Sequence, residues 1–380
     1  MSVDARIALK DLNDNVTHVV HPRTDVSLID GIEDAAIQAI NDIDAGIFIP
    51  ALDTYYYRPS LMTPYKTGVT IPAGTAYMIS GTFYEVTENT NVDITIAAAT
   101  RAGKDLYLYA VETNDGTPSF LISANSTYPD GYTAVNTRKL GGFHCLCNSV
   151  GTIAGHELSG YSTGDIIPGS VWDLRHKPAA THPEGMTFVP GLGLWADIYL
   201  ASASGTELVS VYRGTIADES SSPAFHWYKF SQWFSRVGKR MATQQEFMEL
   251  ARGSNYHTTI NGASDPGTTG GHVDSASRRM ISHHGCEDCC GAMWQWGVEP
   301  GGGYGASSWT NAYDSNDSGD MRGQSYNAPN HAILGGNYQA AISAYTWAPG
   351  QGLRCSYWVV APLAPGSTYG SRGVCESVDY

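Results

Sequence analysis

Residues 48–148 alternate between apolar and polar side chains, and this period of two constrains the fold more than any other feature. The run GVTIPAGTAYMISGTFYEV, for example, places Val69 and Ile71 on one face. Turn-forming strings such as PAG, RAGK and NDGT separate such runs. Short alternating strands with regular turns are typical of an antiparallel sandwich or barrel. We therefore predict a β-sandwich domain over 48–165, after an N-terminal segment, 1–47, whose fold the sequence leaves open.

The pattern changes in the last part of the chain, 166–380, to two helical stretches followed by glycine-rich loops. HWYKFSQWFSRV has aromatic residues at helical spacing. GKRMATQQEFMELARGSN, residues 238–255, follows it, and Thr243 with Glu246 is the capping-box pattern that begins a helix. Helical spacing also recurs over residues 32–43. The predicted class is thus α+β and rich in β-strand.

Composition and charge exclude several classes of function. The chain has 22 Lys and Arg against 37 Asp and Glu, a formal charge of −15, whereas nucleic-acid binding needs a basic face. No apolar run approaches the length of a membrane span, so we expect no membrane insertion. The N-terminus has no apolar stretch typical of a Sec signal, so synthesis in the cytoplasm is expected. The seven cysteines are then expected to be mostly reduced and buried.

Two stretches carry residues that bind metals. Cys286 and Cys289 have C-x-x-C spacing beside Cys290, which suits zinc, but packed thiols or one local disulfide fit the same residues. The acidic string NAYDSNDSGDMRG opens at Asp314 like a calcium loop, yet its twelfth position is Ser325 rather than the required glutamate. An exposed polar loop is the other interpretation. We predict no cofactor, with calcium as the alternative.

Five strings, taken in order, resemble the C-type-lectin-like fold shared by formylglycine-generating enzymes and the variable proteins of diversity-generating retroelements. They are GKRMATQQEFMELARGSN, GAMWQWG, ILGGNY, GLRC and GSRGVC. RKLGGFHC and VWDLRHKPAATHPEGMTFVPGLGLWADIYL narrow the resemblance to the major tropism determinants, a family of phage receptor-binding proteins. The similarity runs from about residue 48 to the C-terminus.

This resemblance implies a specific function and location. The chain would be a homotrimeric adhesin at the tip of a phage tail fibre, or on a bacterial surface if a bacterium encodes it. Its C-terminal lectin-like face, diversified by a retroelement, would bind a host-cell surface receptor, expected to be a protein, and so determine host tropism. The prediction is a binding protein and not an enzyme.

The resemblance also implies which side chains are displayed for ligand binding. They follow the Gly335–Gly336 turn, and their Tyr, Ser, Gly and Trp content is that of antibody binding surfaces. Tyr345 and Trp347 lie in an insertion and extend the set. The predicted positions are Asn337, Gln339, Ala340, Ala341, Ser343, Tyr345, Trp347, Tyr357, Val359, Val360, Ala364, Gly366, Thr368 and Tyr369.

Two other functions remain open at this point. A formylglycine-generating oxidoreductase would use Cys355, which follows Arg354, but no partner cysteine stands at short spacing. A calcium-dependent lectin would need a loop of the Glu-Pro-Asn type. Glu299 and Pro300 supply only its first two residues.

Overall fold

The computed structural model describes most of the chain from residue 62 and four short strands before it. The described residues are 7–10, 16–20, 29–30, 47–48, 62–113, 116–304, 309–310, 325–326, 329–341, 351–364 and 366–379. The helical spacing at residues 32–43 and the acidic string that begins at Asp314 lie outside them. So do Ser343, Tyr345 and Trp347 of the predicted ligand-binding set.

The described residues of the first half of the chain form mainly short antiparallel strands, with one short helix among them at Ala98–Arg101. The strands are β1 (Ile7–Lys10), β2 (Val16–Val20), β3 (Ile29–Asp30), β4 (Ile47–Phe48), β5 (Thr63–Tyr65), β6 (Gly68–Ile71), β7 (Ala76–Ile79), β8 (Thr82–Glu85), β9 (Thr90–Asp93), β10 (Asp105–Glu112), β11 (Pro118–Ser123) and β12 (Thr137–His144). Strands β1 to β3 form one sheet. The others form sheets ordered β4-β7-β8, β5-β6-β9 and β11-β10-β12, the last extended by the strand after β12.

The alternating residues meet in one core, as the period of two predicts. Side chains from β6, β7, β9, β10 and β12 pack together there, and Val69 and Ile71 are fully buried. β10 is apolar on both faces because it separates two cores. Leu106 faces the first, and Tyr109 packs with Trp195 from the second half of the chain.

The second half carries more sheets and two further α-helices within its described residues, Trp227–Arg236 and Gln244–Leu250. Two 3₁₀ turns lie at Pro168–Ser170 and Tyr338–Ala341. The strands are β13 (Trp172–Asp173), β14 (His176–Pro178), β15 (Met186–Val189), β16 (Leu194–Asp197), β17 (Ser202–Ser204), β18 (Glu207–Val209), β19 (Arg240–Met241), β20 (Trp294–Tyr304), β21 (Trp309–Thr310), β22 (Ser325–Tyr326), β23 (Pro329–Leu334), β24 (Ser356–Val360), β25 (Tyr369–Gly370) and β26 (Gly373–Asp379). Strand β13 pairs with β12, while β17 pairs with β18 and β21 with β22.

Two sheets of this half position the C-terminal stretch. In the first, β26 lies between β14 and β16, β15 pairs with β16, and β19 also pairs with β26. In the second the order is β24-β23-β20-β25, with β25 parallel to β20 and the other pairs antiparallel. The protein therefore has the β-rich architecture with few helices that the sequence predicts.

The Gln244–Leu250 helix begins where the capping box predicts. The Thr243 hydroxyl accepts a hydrogen bond from the Glu246 amide at 3.1 Å, and the Glu246 carboxylate accepts one from the Thr243 amide at 2.8 Å. The helix is shorter than the predicted string 238–255, because Arg240 and its neighbour pair with β26 instead. At the other end Gly253 has a φ of +86°, which ends helical geometry.

The Trp227–Arg236 helix confirms the second helical pattern. It buries Phe230, Trp233 and Phe234 in a core that also contains Ile333 and Val360 of the second sheet. The helix therefore supports that sheet from one face. Among the described residues, no helix combines the length and the apolar character that crossing a membrane requires.

Candidate functional site

The candidate site lies on the sheet ordered β24-β23-β20-β25, where the C-terminal stretch meets the rest of the domain. Ile333 of β23 pairs with Tyr357 on one side and with Trp296 on the other. Directly paired residues in a sheet point to the same face, so these three side chains form a row across it. Trp296 and Ile333 are buried, whereas Tyr357 at the outer strand is 52% exposed. The row thus runs from the core to the surface.

A β-bulge in β24 decides which core receives Val360, at the end of the strand. Pairing advances from Tyr357 to Val360 on β24 while it advances only from Ile333 to His331 on β23. The extra residue shifts the alternation, as bulges at sheet edges do. Val360 consequently turns into the core beside Ile333 and is 6% exposed, while Val359 stays 49% exposed. Of the three positions predicted for this strand, Tyr357 and Val359 lie at the surface and Val360 does not.

The glycine turn before β24 packs tightly against the cysteine stretch. Gly335 and Gly336 have φ values of +88° and +81°, a region that favours glycine. A β-carbon on Gly335 would collide with the carbonyl oxygen of Cys289, and it would lie 2.9 Å from the ring of Phe247. The positive φ values favour glycine at both positions, and the close approach to Cys289 leaves no room for a side chain at Gly335.

The residues after the turn divide between interior and surface. Asn337 forms a parallel bridge with Ala292, and the Tyr338 amide donates to the Ala292 carbonyl at 2.9 Å. This pairing turns Asn337 inward to 6% exposure, although the sequence predicts its display. Gln339 is exposed, and Ala340 lies with it in the Tyr338–Ala341 turn. Ala341 ends that turn, and the structure describes its backbone only.

The last predicted residues lie around Tyr369. Its ring meets that of Trp296 edge-on, with 5.5 Å between centroids. Any β-carbon on Gly366 would lie 2.7 Å from the Tyr369 ring, so glycine there leaves room for the tyrosine. The Thr368 carbonyl accepts a hydrogen bond from the Trp294 amide at 2.9 Å, which ties β25 to β20. Gly366 and Thr368 therefore position Tyr369, and both residues are themselves half-buried.

Tyr369 is itself half-buried. Burial raises the pKa of its phenol, and the nearby Tyr357 and Glu219 raise it further. Ala364 is partly buried and packs into the same core as Val360. The exposure of the side chains thus decreases along the stretch, from Tyr357 and Val359 to the half-buried Tyr369.

The thiols beneath the site are buried and free. Cys286, Cys289 and Cys290 are fully buried in the core that contains Leu334, and Cys289 donates to the Cys286 carbonyl at 3.6 Å. Burial raises the pKa of Cys290 well above its ordinary value. Across the described residues, no group of three or more His, Cys, Asp and Glu side chains has a metal-binding arrangement.

Buried charges that the sequence patterns do not reveal hold the strand after Tyr369. Lys239 donates to Asp197 at 2.6 Å, with both side chains almost completely buried. The other Asp197 oxygen accepts from the Gly373 amide at 3.0 Å. Arg372 is buried as well and donates to the carbonyl of Ile198 at 2.6 Å. These bonds fix the start of β26. The sequence offered no sign of them except that Lys239 and Arg372 belong to strings that resemble the lectin-like fold.

Glu219 is a second residue that sequence analysis missed. It lies in a turn before the Trp227–Arg236 helix, is exposed, and affects the Tyr369 phenol. No local motif marks it, because its proximity to Tyr369 arises only from tertiary packing.

Comparison with known proteins decides the family. Residues 60–173 match the model of the Mtd second domain. The tail fiber receptor-binding protein of Bordetella phage BPP-1 is 35% identical over 324 residues, which cover 80% of this chain and 79% of that protein. The chain belongs to the major tropism determinant family. The predicted resemblance is therefore confirmed.

Solved structures of major tropism determinants agree with this assignment. The M1 variant is 30% identical with a TM-score of 0.71, over 90% of this chain and 88% of that one. The P3c variant is 28% identical with a TM-score of 0.72, over 100% of this chain and 96% of that one. The C-type-lectin-like fold predicted from the five strings is thus confirmed.

Proposed function

We propose that this major tropism determinant is a phage tail-fibre adhesin that binds a host-cell receptor through the face carrying Tyr357 and Val359. The relative from Bordetella phage BPP-1 is a tail fiber receptor-binding protein, and this similarity supports the same class of function. The observation that carries the site assignment is local. Tyr357 and Val359 are large side chains, each about half exposed. The strand that pairs with theirs, β23, is buried at Ile333. Apolar and aromatic groups displayed from a rigid sheet are typical of interaction surfaces.

The binding positions alternate with positions that fix the strand. The Ser356 hydroxyl accepts hydrogen bonds from Gln244 at 3.0 Å and from Trp358 at 2.9 Å. Trp358 packs against the core that contains the buried thiols. Tyr357 and Val359 point away from these contacts, so other side chains can replace them at little cost in stability. This arrangement suits a face diversified by a retroelement, with Gln339 and the stretch that precedes β24 as further variable positions.

We further propose that the protein acts as a homotrimer at the tail-fibre tip and binds a protein receptor. A small patch on each subunit gives modest affinity, but repetition raises the effective concentration of the second and third contacts. Side chains such as tyrosine suit protein surfaces because they offer large, rigid contact areas. Association without chemistry is the proposed mechanism.

The residues favour binding over catalysis. Cys355, the candidate nucleophile of the enzyme hypothesis, is partly buried, and burial raises its pKa to about 11. Cys375 is buried with its pKa raised to about 11 as well. A redox thiol needs the opposite environment, electropositive and accessible. The proposal therefore expects Cys355→Ser to leave receptor binding unchanged.

The central test replaces the exposed pair. Fluorescently labelled protein is added to a panel of bacterial strains, and adsorption is measured by flow cytometry for the wild type and for Tyr357→Ala with Val359→Ala. We expect adsorption to a susceptible strain to be lost, while the free energy of unfolding changes by less than about 1 kcal/mol. The matched control replaces Tyr128 and Val135, which are 43% and 71% exposed in the first half of the chain.

The control pair should leave adsorption intact. Equal adsorption by the Tyr357 and Val359 variant would refute this site, and equal loss in the control would show that the effect is not local. Sequencing the locus tests the diversification. An adenine-rich near-copy of the 3′ end of the gene, beside a reverse transcriptase gene, is the expected arrangement.

A further inference from the structure

A turn outside the C-terminal stretch reaches the candidate face. The Ala201 amide donates to the Ser371 carbonyl at 2.9 Å, and the Ala217 amide donates to the Ala201 carbonyl at 2.9 Å. Ala217 is therefore linked to Ser371 through a single intervening residue. Glu219 follows Ala217 by two positions, so these bonds bring it toward the end of β25.

A side-chain contact places the same segment against β25. The Cγ2 atom of Ile216 lies 3.6 Å from the position that a β-carbon on Gly370 would occupy. Gly370 follows Tyr369 directly in β25. The backbone bonds and this contact agree that residues 216–219 lie beside Tyr369.

The turn that carries Glu219 is braced from inside. The Asp218 carboxylate is buried and accepts from the Ser220 amide at 2.7 Å and the Ser220 hydroxyl at 2.6 Å. The Asp218 amide donates to Ser221 at 3.1 Å, and its carbonyl accepts from the Phe225 amide at 2.8 Å. Glu219, in contrast, is exposed. Its backbone is thus held while its carboxylate faces solvent.

Aromatic groups lie on the part of the face that this turn approaches. Tyr369 lies edge-on against Trp296, which belongs to the row that ends at Tyr357. The raised pKa of Tyr369, caused first by burial and then by Tyr357 and Glu219, agrees with this proximity. Neither β24 nor β25 contains a charged residue, and Glu219 is the carboxylate that acts on the Tyr369 phenol.

We propose that Glu219, Tyr369 and Tyr357 form a subsite for a basic side chain, lysine or arginine, on a host-cell protein. A carboxylate supplies a charge-assisted hydrogen bond to such a cation, and tyrosine rings attract it through their faces. The acidic chain as a whole, with its formal charge of −15, favours the approach of a basic surface. The inference deepens the proposed function, because it names the chemistry that the same face recognises.

Glu219 differs from the two tyrosines of the subsite in its position along the chain. Glu219 lies outside the stretch that follows Gly336, where the family resemblance places the variable positions. The attraction of the Glu219 carboxylate for a cation would therefore persist while the side chains at Tyr357, Val359 and Tyr369 change. Variants of the face would differ in detail but share a basic element in their targets.

The test uses a yeast-displayed library of random peptides, with the full chain as the labelled probe. We expect selected peptides to be enriched in lysine and arginine relative to the unselected library. Glu219→Gln should weaken the binding of those peptides by about fivefold, with a larger effect at low salt. The matched control is Glu85→Gln, an exposed glutamate of β8 in the first half of the chain, which should bind as the wild type does.

The possible outcomes separate the two proposals. Peptides that bind through Tyr357 but show no basic enrichment and no response to Glu219→Gln would refute the subsite and leave the adhesin function standing. Binding that ignores both Tyr357→Ala and Glu219→Gln would refute the site as well. A parallel glycan array provides the other ligand class. Glycan binding that depends on Tyr357 and not on Glu219 would overturn the inference of a basic protein ligand.

Discussion

Replacing Lys239 with methionine is expected to loosen the strand that supports the candidate face. Lys239 and Asp197 are paired at 2.6 Å, and their side chains are 3% and 1% exposed. The second carboxylate oxygen of Asp197 holds the Gly373 amide at the start of β26. Methionine keeps most of the apolar stem of lysine but removes its charge. The variant therefore leaves a buried carboxylate with one backbone hydrogen bond and without its paired ammonium group, while the guanidinium of Arg372 remains nearby.

The size of the effect follows from this geometry. At 2.6 Å and an effective dielectric constant of about 20, the attraction between the two charges is roughly 6 kcal/mol. Desolvation of both groups offsets part of it, and breaking a buried pair by removing one partner costs about 3–5 kcal/mol. The double variant Lys239→Met with Asp197→Asn removes the uncompensated charge. It should recover about half of that loss, since an asparagine oxygen can still accept from Gly373.

Urea unfolding followed by tryptophan fluorescence measures both variants, because Trp195 and Trp296 are buried in this half of the chain. Hydrogen exchange should show the earliest loss of protection in β26 and β25. A loss below about 1 kcal/mol in the single variant would refute the reasoning, since surface substitutions have effects of that size. A double variant as unstable as the single one would also contradict it.

Three further predictions concern the frame and the face. Thr243→Ala should cost about 1 kcal/mol in unfolding free energy, because it removes the side-chain bond to the Glu246 amide, and thermal denaturation would contradict the capping argument if the loss were near zero. Gly335→Ala should cost at least about 1–2 kcal/mol, because its φ of +88° and the adjacent Cys289 carbonyl oppose a β-carbon; an unchanged urea midpoint would contradict this. Glu219→Gln should lower the pKa of Tyr369, because the carboxylate helps to raise it. Ultraviolet titration, with Tyr369→Phe to identify the signal, would refute the proximity if the pKa were unchanged.

Local sequence patterns predicted strands and helices correctly where interactions between residues close in sequence determine them. The alternation through Val69 and Ile71 predicted a buried strand face, and Thr243 with Glu246 predicted the start of a helix. The same helix was predicted too long at its beginning. There, Arg240 and its neighbour pair with β26, a strand at the far end of the chain, and propensity cannot foresee such a partner.

The candidate face was harder to predict, for the same reason. Strict alternation displays Tyr357 and Val359 and turns Val360 inward, as observed, but it does not foresee the bulge opposite His331 that places Val360 in the same core as Ile333. The burial of Asn337 depends on a bridge to Ala292. Each exception is a backbone pairing between segments remote in sequence, and such pairings set which side chains reach the surface.

In β24, the contacts of each residue, and not its type, separate the anchored positions from the exposed ones. Ser356 and Trp358 are tied to each other and to Gln244, so substitutions there would disturb the helix that Thr243 caps. Tyr357 and Val359 lie between those anchors with half of their surface exposed. A binding face can change under selection only if such substitutions leave the frame intact. The alternation of anchored and exposed positions within one short strand satisfies that condition, and it explains how a fold can keep its sheet while its ligand changes.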